Sequence, residues 1–275
     1  MKSKKSHYFT LLIILCSIVY SSIILLIPAE SPTSWGHIIP FIVYVAIPVI
    51  SAWIVDRDSI QSFIKKYLCF NKAQLIKTIS YCLFTSISFG LSMIFIIYLF
   101  GNIFDIIGVH LVKSIPGNFL SIDITNINPF FRIIILWIFI LFGGVAIGIL
   151  NTITEEIGWR GFMHDNLNCS QFIKPIYIGL VWSVWSIPFI LKSEVTLIIV
   201  LTTVLYNVIF SFYLAKIKND TDSVWCCASV RGIINATFLI ILFTGGTQSE
   251  IKIITMIALM IITFISYFLF RHKKV

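Results

Sequence analysis

The sequence predicts an all-α, polytopic membrane protein of about eight transmembrane helices in one structural domain. Three observations lead there. Of 275 residues, 58% are apolar and 12% charged, about half the charged share of a soluble domain. The apolar residues fall in runs near the roughly 20 residues that cross a bilayer. The basic residues collect on alternate loops, as in polytopic membrane proteins. The net charge of +8 is therefore read as membrane topology and not as a nucleic-acid footprint.

The candidate spans are 8–27, 38–55, 79–100, 133–150, 175–191, 195–214, 223–243 and 251–270. The first run is long enough to stay as an anchor, with no small-residue cleavage site after it. Lys2, Lys4 and Lys5 precede it. The second loop carries Arg57, Lys65, Lys66, Lys72 and Lys77. Arg160 and Lys174 lie between the fourth and fifth spans, Lys216 and Lys218 after the sixth, and Arg271, Lys273 and Lys274 at the end. The opposite loops hold only Lys113, Arg132, Lys192 and Lys252. This asymmetry puts both termini in the cytoplasm.

The 101–131 loop falls on the outer side and reads as either a re-entrant or a surface segment. Asn128-Pro129 reads as an N-cap followed by Pro at the first helical position, and Pro175 is read the same way. Pro188 should kink or end its span. The six Cys show no metal spacing and read as small apolar fillers. The organisation expected is N-terminal helices and an outer loop over 1–130, a core over 131–245, and a last helix over 246–275.

The polar residues of the second half are the informative ones, because ionisable groups at membrane depth mark functional sites. Residues 151–166 read NTITEEIGWRGFMHDN. On an α-helix Glu156 and Arg160, four apart, share a face, while Glu155 points about a third of a turn away. His164 continues the Glu156–Arg160 spacing. Trp182 precedes Ser186 by four residues, with Ile187-Pro188 following. Arg231 and Asn235 are one turn apart inside the seventh span, Arg231 about 12 Å deep at the helical rise. Each has a plainer role open to it. Glu156–Arg160 reads equally as a helix ion pair, Ser186 as a packing residue, Asn235 as an interhelical hydrogen-bond donor, and His164 as an interfacial residue. Trp159, Trp182, Trp185 and Trp225 read as an interfacial belt. His7, His37, His110 and His272 lie in tails or outer loops and replace no ligand.

Glu155-Glu156-x-x-x-Arg160-Gly161, Trp182-x-x-x-Ser186-Ile187-Pro188 and Arg231-x-x-x-Asn235 together resemble the three motifs of the CPBP family. That family joins CAAX prenyl proteases with bacteriocin-processing, bacteriocin-immunity and lysostaphin-resistance proteins. The resemblance runs from about 131 to 243. It implies a helical intramembrane endopeptidase core acting on membrane-associated peptides at a site open to the cytoplasm. Carried over by position, Glu155 is the general base, Glu156 holds Arg160, and Asn235 supports the site. The family's two motif His are Ser186 and Arg231 here. The resemblance raises zinc as a cofactor, but Ser is a poor zinc ligand and Arg none. Arg231 needs a carboxylate partner, and Glu155 is the one expected. An Arg-held carboxylate is a weaker general base, so activity is expected to be weakened or lost. The alternative is a non-catalytic pseudoprotease: a membrane scaffold, regulator or bacteriocin-immunity protein. A small transporter is a third class, disfavoured because no paired broken helices or repeat are visible.

Overall fold

A computed structural model describes residues 2–26, 35–57, 59–69, 71–92, 118–119, 122–123, 129–191, 196–243, 257–258, 260–265 and 267. The helices are α1 (Lys2–Leu26), α2 (Trp35–Asp56), α3 (Ile60–Leu68), α4 (Lys72–Thr85), α5 (Pro129–Asn151), α6 (Ile173–Leu191), α7 (Leu197–Thr221) and α8 (Val224–Phe243). Two π-helical segments extend α4 and α5, π1 (Ser86–Leu91) and π2 (Thr152–Met163), and one α-turn, His164–Asn166, closes π2. A two-residue antiparallel pair joins Asn118–Phe119 to Ile122–Asp123. The chain is an all-α polytopic membrane protein. Among the described residues, Lys4–Ile23, Ile134–Asn151 and Leu197–Thr221 are long and apolar enough to cross a bilayer, and Ile42–Asp56 is a shorter apolar helix.

The helix starts follow local chemistry. α5 opens on Pro129, whose missing N–H falls where no intrahelical partner exists; Asn128, its expected cap, lies outside the described residues. α6 starts at Ile173, two residues before Pro175, which sits in the first turn and not at its first position. Pro188 does not break α6, which ends three residues later at Leu191. α4 is capped by a reciprocal pair, Asn71 Oδ1 accepting from Gln74 N at 2.8 Å and Gln74 Oε1 from Asn71 N at 3.0 Å. α3 was not expected: the basic second loop folds into a short helix capped by Ser59. Phe63 and Tyr67, four apart, give it a buried edge. Most of the 101–131 loop and of the 251–270 span lies outside the described residues.

In lipid, helix association depends on close packing more than on transfer from water. α5 and α8 show how it is achieved here. A Cβ on Gly232 would lie 2.0 Å from the Gly144 carbonyl oxygen, and one on Gly148 2.6 Å from the Ser229 Cα. The two backbones therefore touch through small residues. π2 packs on α2 in the same way, with the Gly158 position 2.6 Å from the Pro48 carbonyl oxygen. Aromatic rings fill the rest. Tyr44 stacks between Tyr20 and Trp185, at centroid distances of 4.0 and 5.3 Å. Its hydroxyl donates to the Trp185 carbonyl at 2.5 Å. Cys82, Cys226 and Cys227 are buried filler, whereas Cys69 is exposed.

Candidate functional site

The site is built where π2 meets α8 and α6. A π-helix closes its turns over five residues instead of four. Adjacent side chains are then separated by a smaller angle than in an α-helix. This corrects the α-helical expectation that Glu155 and Glu156 diverge: both carboxylates face Arg231 on α8. Arg231 Nη2 donates to Glu155 Oε2 at 2.5 Å and Nη1 to Glu156 Oε1 at 2.7 Å. Charge-assisted bonds of this kind are the strong ones. Glu156 is thus shared. Its other oxygen is 3.7 Å from Arg160 Nε, so Arg231, and not Arg160, is its closer partner. Arg160 is fully buried and donates a long hydrogen bond of 3.4 Å to Ser211 Oγ.

Trp182 lines this cluster from α6. The Arg231 guanidinium carbon lies 4.5 Å from its ring centroid and that of Arg160 5.2 Å. An aromatic face attracts cations within about 6 Å, so one ring helps hold both. Ser186, a turn along α6, donates to the Trp182 carbonyl at 2.9 Å and accepts from Asn207 Nδ2 at 3.3 Å. Asn207 also reaches Ser183 Oγ at 3.4 Å. The sequence reading missed Asn207, although a lone Asn inside an apolar span is itself a signal. Asn235 is half-buried, and among the described residues no hydrogen bond joins it to the cluster. His164 is buried. Of the tryptophans, Trp159, Trp182 and Trp185 are buried in the core and Trp225 is half-buried.

Residues 134–237 match the family model for type II CAAX prenyl endopeptidases of the Rce1-like kind. No curated protein matches the chain. Residues 134–237 form an Rce1-like domain.

The match spans most of α5, all of π2, α6 and α7, and α8 as far as Thr237. All four elements that build the ion cluster and the Ser186–Asn207 contact therefore belong to the Rce1-like domain. Zinc does not fit its site. Among the described residues no three His, Cys, Asp or Glu side chains gather around one point. The guanidinium of Arg231 is bonded to both carboxylates, and Arg cannot ligate a metal.

Burial holds the imidazole of His164 below its ordinary pKa, although Asp165, 3.5 Å from Nδ1, pulls the other way. Because the folded state favours neutral His164, stability is complete above the unfolded value of about 6.5 and is lost as pH falls below it. Thermal denaturation from pH 7.5 to 5 is expected to show a falling midpoint that flattens in His164→Gln. An unchanged slope in that variant would assign the acid loss elsewhere.

Proposed function

We infer that this membrane protein keeps the frame of a CAAX-type endopeptidase without its hydrolytic centre, and acts by binding a membrane-associated peptide or protein. One observation carries the reading: Arg231 bonds to both Glu155 and Glu156. A general base must present a free lone pair to the water it activates, within about 2.6–3.2 Å. Here the carboxylate oxygens that face α8 are taken by a permanent cation. Ser186 stands where an imidazole is expected, and its hydroxyl is engaged with the Trp182 carbonyl and Asn207. The cluster reads as a structural lock between π2 and α8. The loop charges support a site facing the cytoplasm, with both termini on that side. Bound partners of the class expected are lipid-linked or amphipathic peptides, presented from the membrane to the polar end of the bundle.

The test uses the full chain reconstituted in lipid with prenylated and leader-type peptides. The wild type is expected to cleave neither above background, and Glu155→Ala to match it, while a photo-crosslinking analogue still labels the wild type. Combined Ser186→His and Arg231→His is expected to create measurable cleavage. Hydrolysis by the wild type that disappears in Glu155→Ala would sink the non-catalytic reading. Arg231 would then become the stabiliser of a developing oxyanion.

A further inference from the structure

We propose that α3 is an in-plane membrane-surface helix whose partner is the anionic headgroup layer, tying the Rce1-like domain's motif segment to the leaflet surface. The proposal is independent of whether the site hydrolyses peptides. It starts from the distribution of side chains around nine residues. On a helical projection Ile60, Ile64, Leu68, Phe63 and Tyr67 form one continuous apolar arc, with Gln61, Ser62, Lys65 and Lys66 on the other side. The protein uses only part of that arc, with Leu68 half-buried against the core in addition to Phe63 and Tyr67. Phe63 and Tyr67 are buried at 5% exposure each, while Ile60 and Ile64 remain 60% and 49% exposed.

An apolar edge of this kind has two possible covers, lipid or another protein. Charge decides between them. Residues 56–77 hold five basic side chains, Arg57, Lys65, Lys66, Lys72 and Lys77, against two acidic ones, Asp56 and Asp58. Asp56 is already occupied, accepting from Lys5 at 2.8 Å and from Lys66 at 2.5 Å. Arg57, Lys65 and Lys72 are exposed. Isoleucines on one face and cations on its flank match an interface of acyl chains below anionic headgroups. On α4, Leu75, Ile76 and Ile79 are exposed as well.

α3 is also joined to the motif segment. A Cβ on Gly161 would lie 2.7 Å from the Tyr67 ring, so Tyr67 rests directly on the backbone of π2. Tyr67 also donates to Asp56 at 3.3 Å. Trp225, at the start of α8, donates its Nε1–H to the Leu68 carbonyl at 3.1 Å. The helix thus touches both elements that carry the ion cluster, at the end of the bundle where the basic loops lie.

The experiment places an environment-sensitive fluorophore on Ile64→Cys or, opposite it, on Ser62→Cys, with Cys16→Ser, Cys69→Ser and Cys169→Ser as background. The full chain is reconstituted in phosphatidylcholine vesicles with or without phosphatidylglycerol. Position 64 is expected to emit blue-shifted light and to resist a water-soluble quencher, while position 62 remains water-like. Phosphatidylglycerol should deepen the difference, and Arg57→Gln with Lys65→Gln, or high salt, should remove that increment. Each lost cation weakens headgroup attraction about fivefold. Water-like emission at position 64 in both vesicle types would overturn the proposal. So would equal shielding with and without the anionic lipid. Shielding of position 64 in cell membranes but not in vesicles would point to a protein cover and overturn it as well.

Discussion

Arg231→Ala is expected to destabilise the protein by about 3–5 kcal/mol, the range for removing one partner of a buried ion pair. The reason is the state it leaves behind. Glu155 and Glu156 are neighbours in sequence and both buried. Arg231 is the cation bonded to both. Without it, two adjacent carboxylates face each other across a low-dielectric interior, and Arg160 reaches only Glu156, at 3.7 Å. The loss should be read as a fall in the thermal unfolding midpoint in detergent or lipid. Replacing the cluster together, Arg231→Met with Glu155→Gln and Glu156→Gln, should recover most of it. A well-packed neutral substitute for a buried ion network is often no less stable than the network. Wild-type stability in Arg231→Ala would show that the pair is not there. An equal loss in the triple variant would show that the residue acts by shape and not by charge.

The same cluster shows what could be read from sequence and what could not. Its members were legible because Glu, Arg and Asn are rare within apolar runs, and the spans themselves because hydropathy and basic loops follow bilayer physics. The pairing was only half legible. Glu155 with Arg231 and Glu156 with Arg160 are both present, but helix spacing does not give the Arg231–Glu156 bond, the shorter of the two contacts Glu156 makes. No residue pattern in TITEEIGWRGFM announces five-residue turns; they come with the packing of π2 against α2 and α8. Trp182 shows the same dependence on packing. Trp182 is an interfacial residue by composition but a cation-holding one by position, and position depends on which helix lies opposite. α3 was hidden by its own charge. Lys65 and Lys66, in a stretch with five basic residues from 57 to 77, read as a loop, although Ile60, Phe63, Ile64 and Tyr67 already carry helical spacing. Asn207 was missed because its partners lie 21 and 24 residues away on α6, a separation that no local pattern encodes.

Gly232→Val is expected to be the most damaging substitution that leaves every charge intact. A Cβ at 232 would stand 2.0 Å from the Gly144 oxygen and 2.4 Å from the Gly148 nitrogen. These are backbone atoms, so no side-chain rotation relieves the clash and the two helices must separate. Overpacking of a core costs about 1–3 kcal/mol and occasionally more; contact with backbone on a partner helix places this case at the upper end. The consequence reaches the site because Gly232 directly follows Arg231. Moving α8 away from α5 also moves the guanidinium away from carboxylates carried on the continuation of α5. The thermal midpoint should therefore fall, and adding Arg231→Ala to Gly232→Val should cost less than it does alone, because the first change has already loosened the cluster. Distant, independent sites add within about 0.3–0.5 kcal/mol. Strict additivity of the two would show that the helix contact and the ion cluster are separate features of the fold.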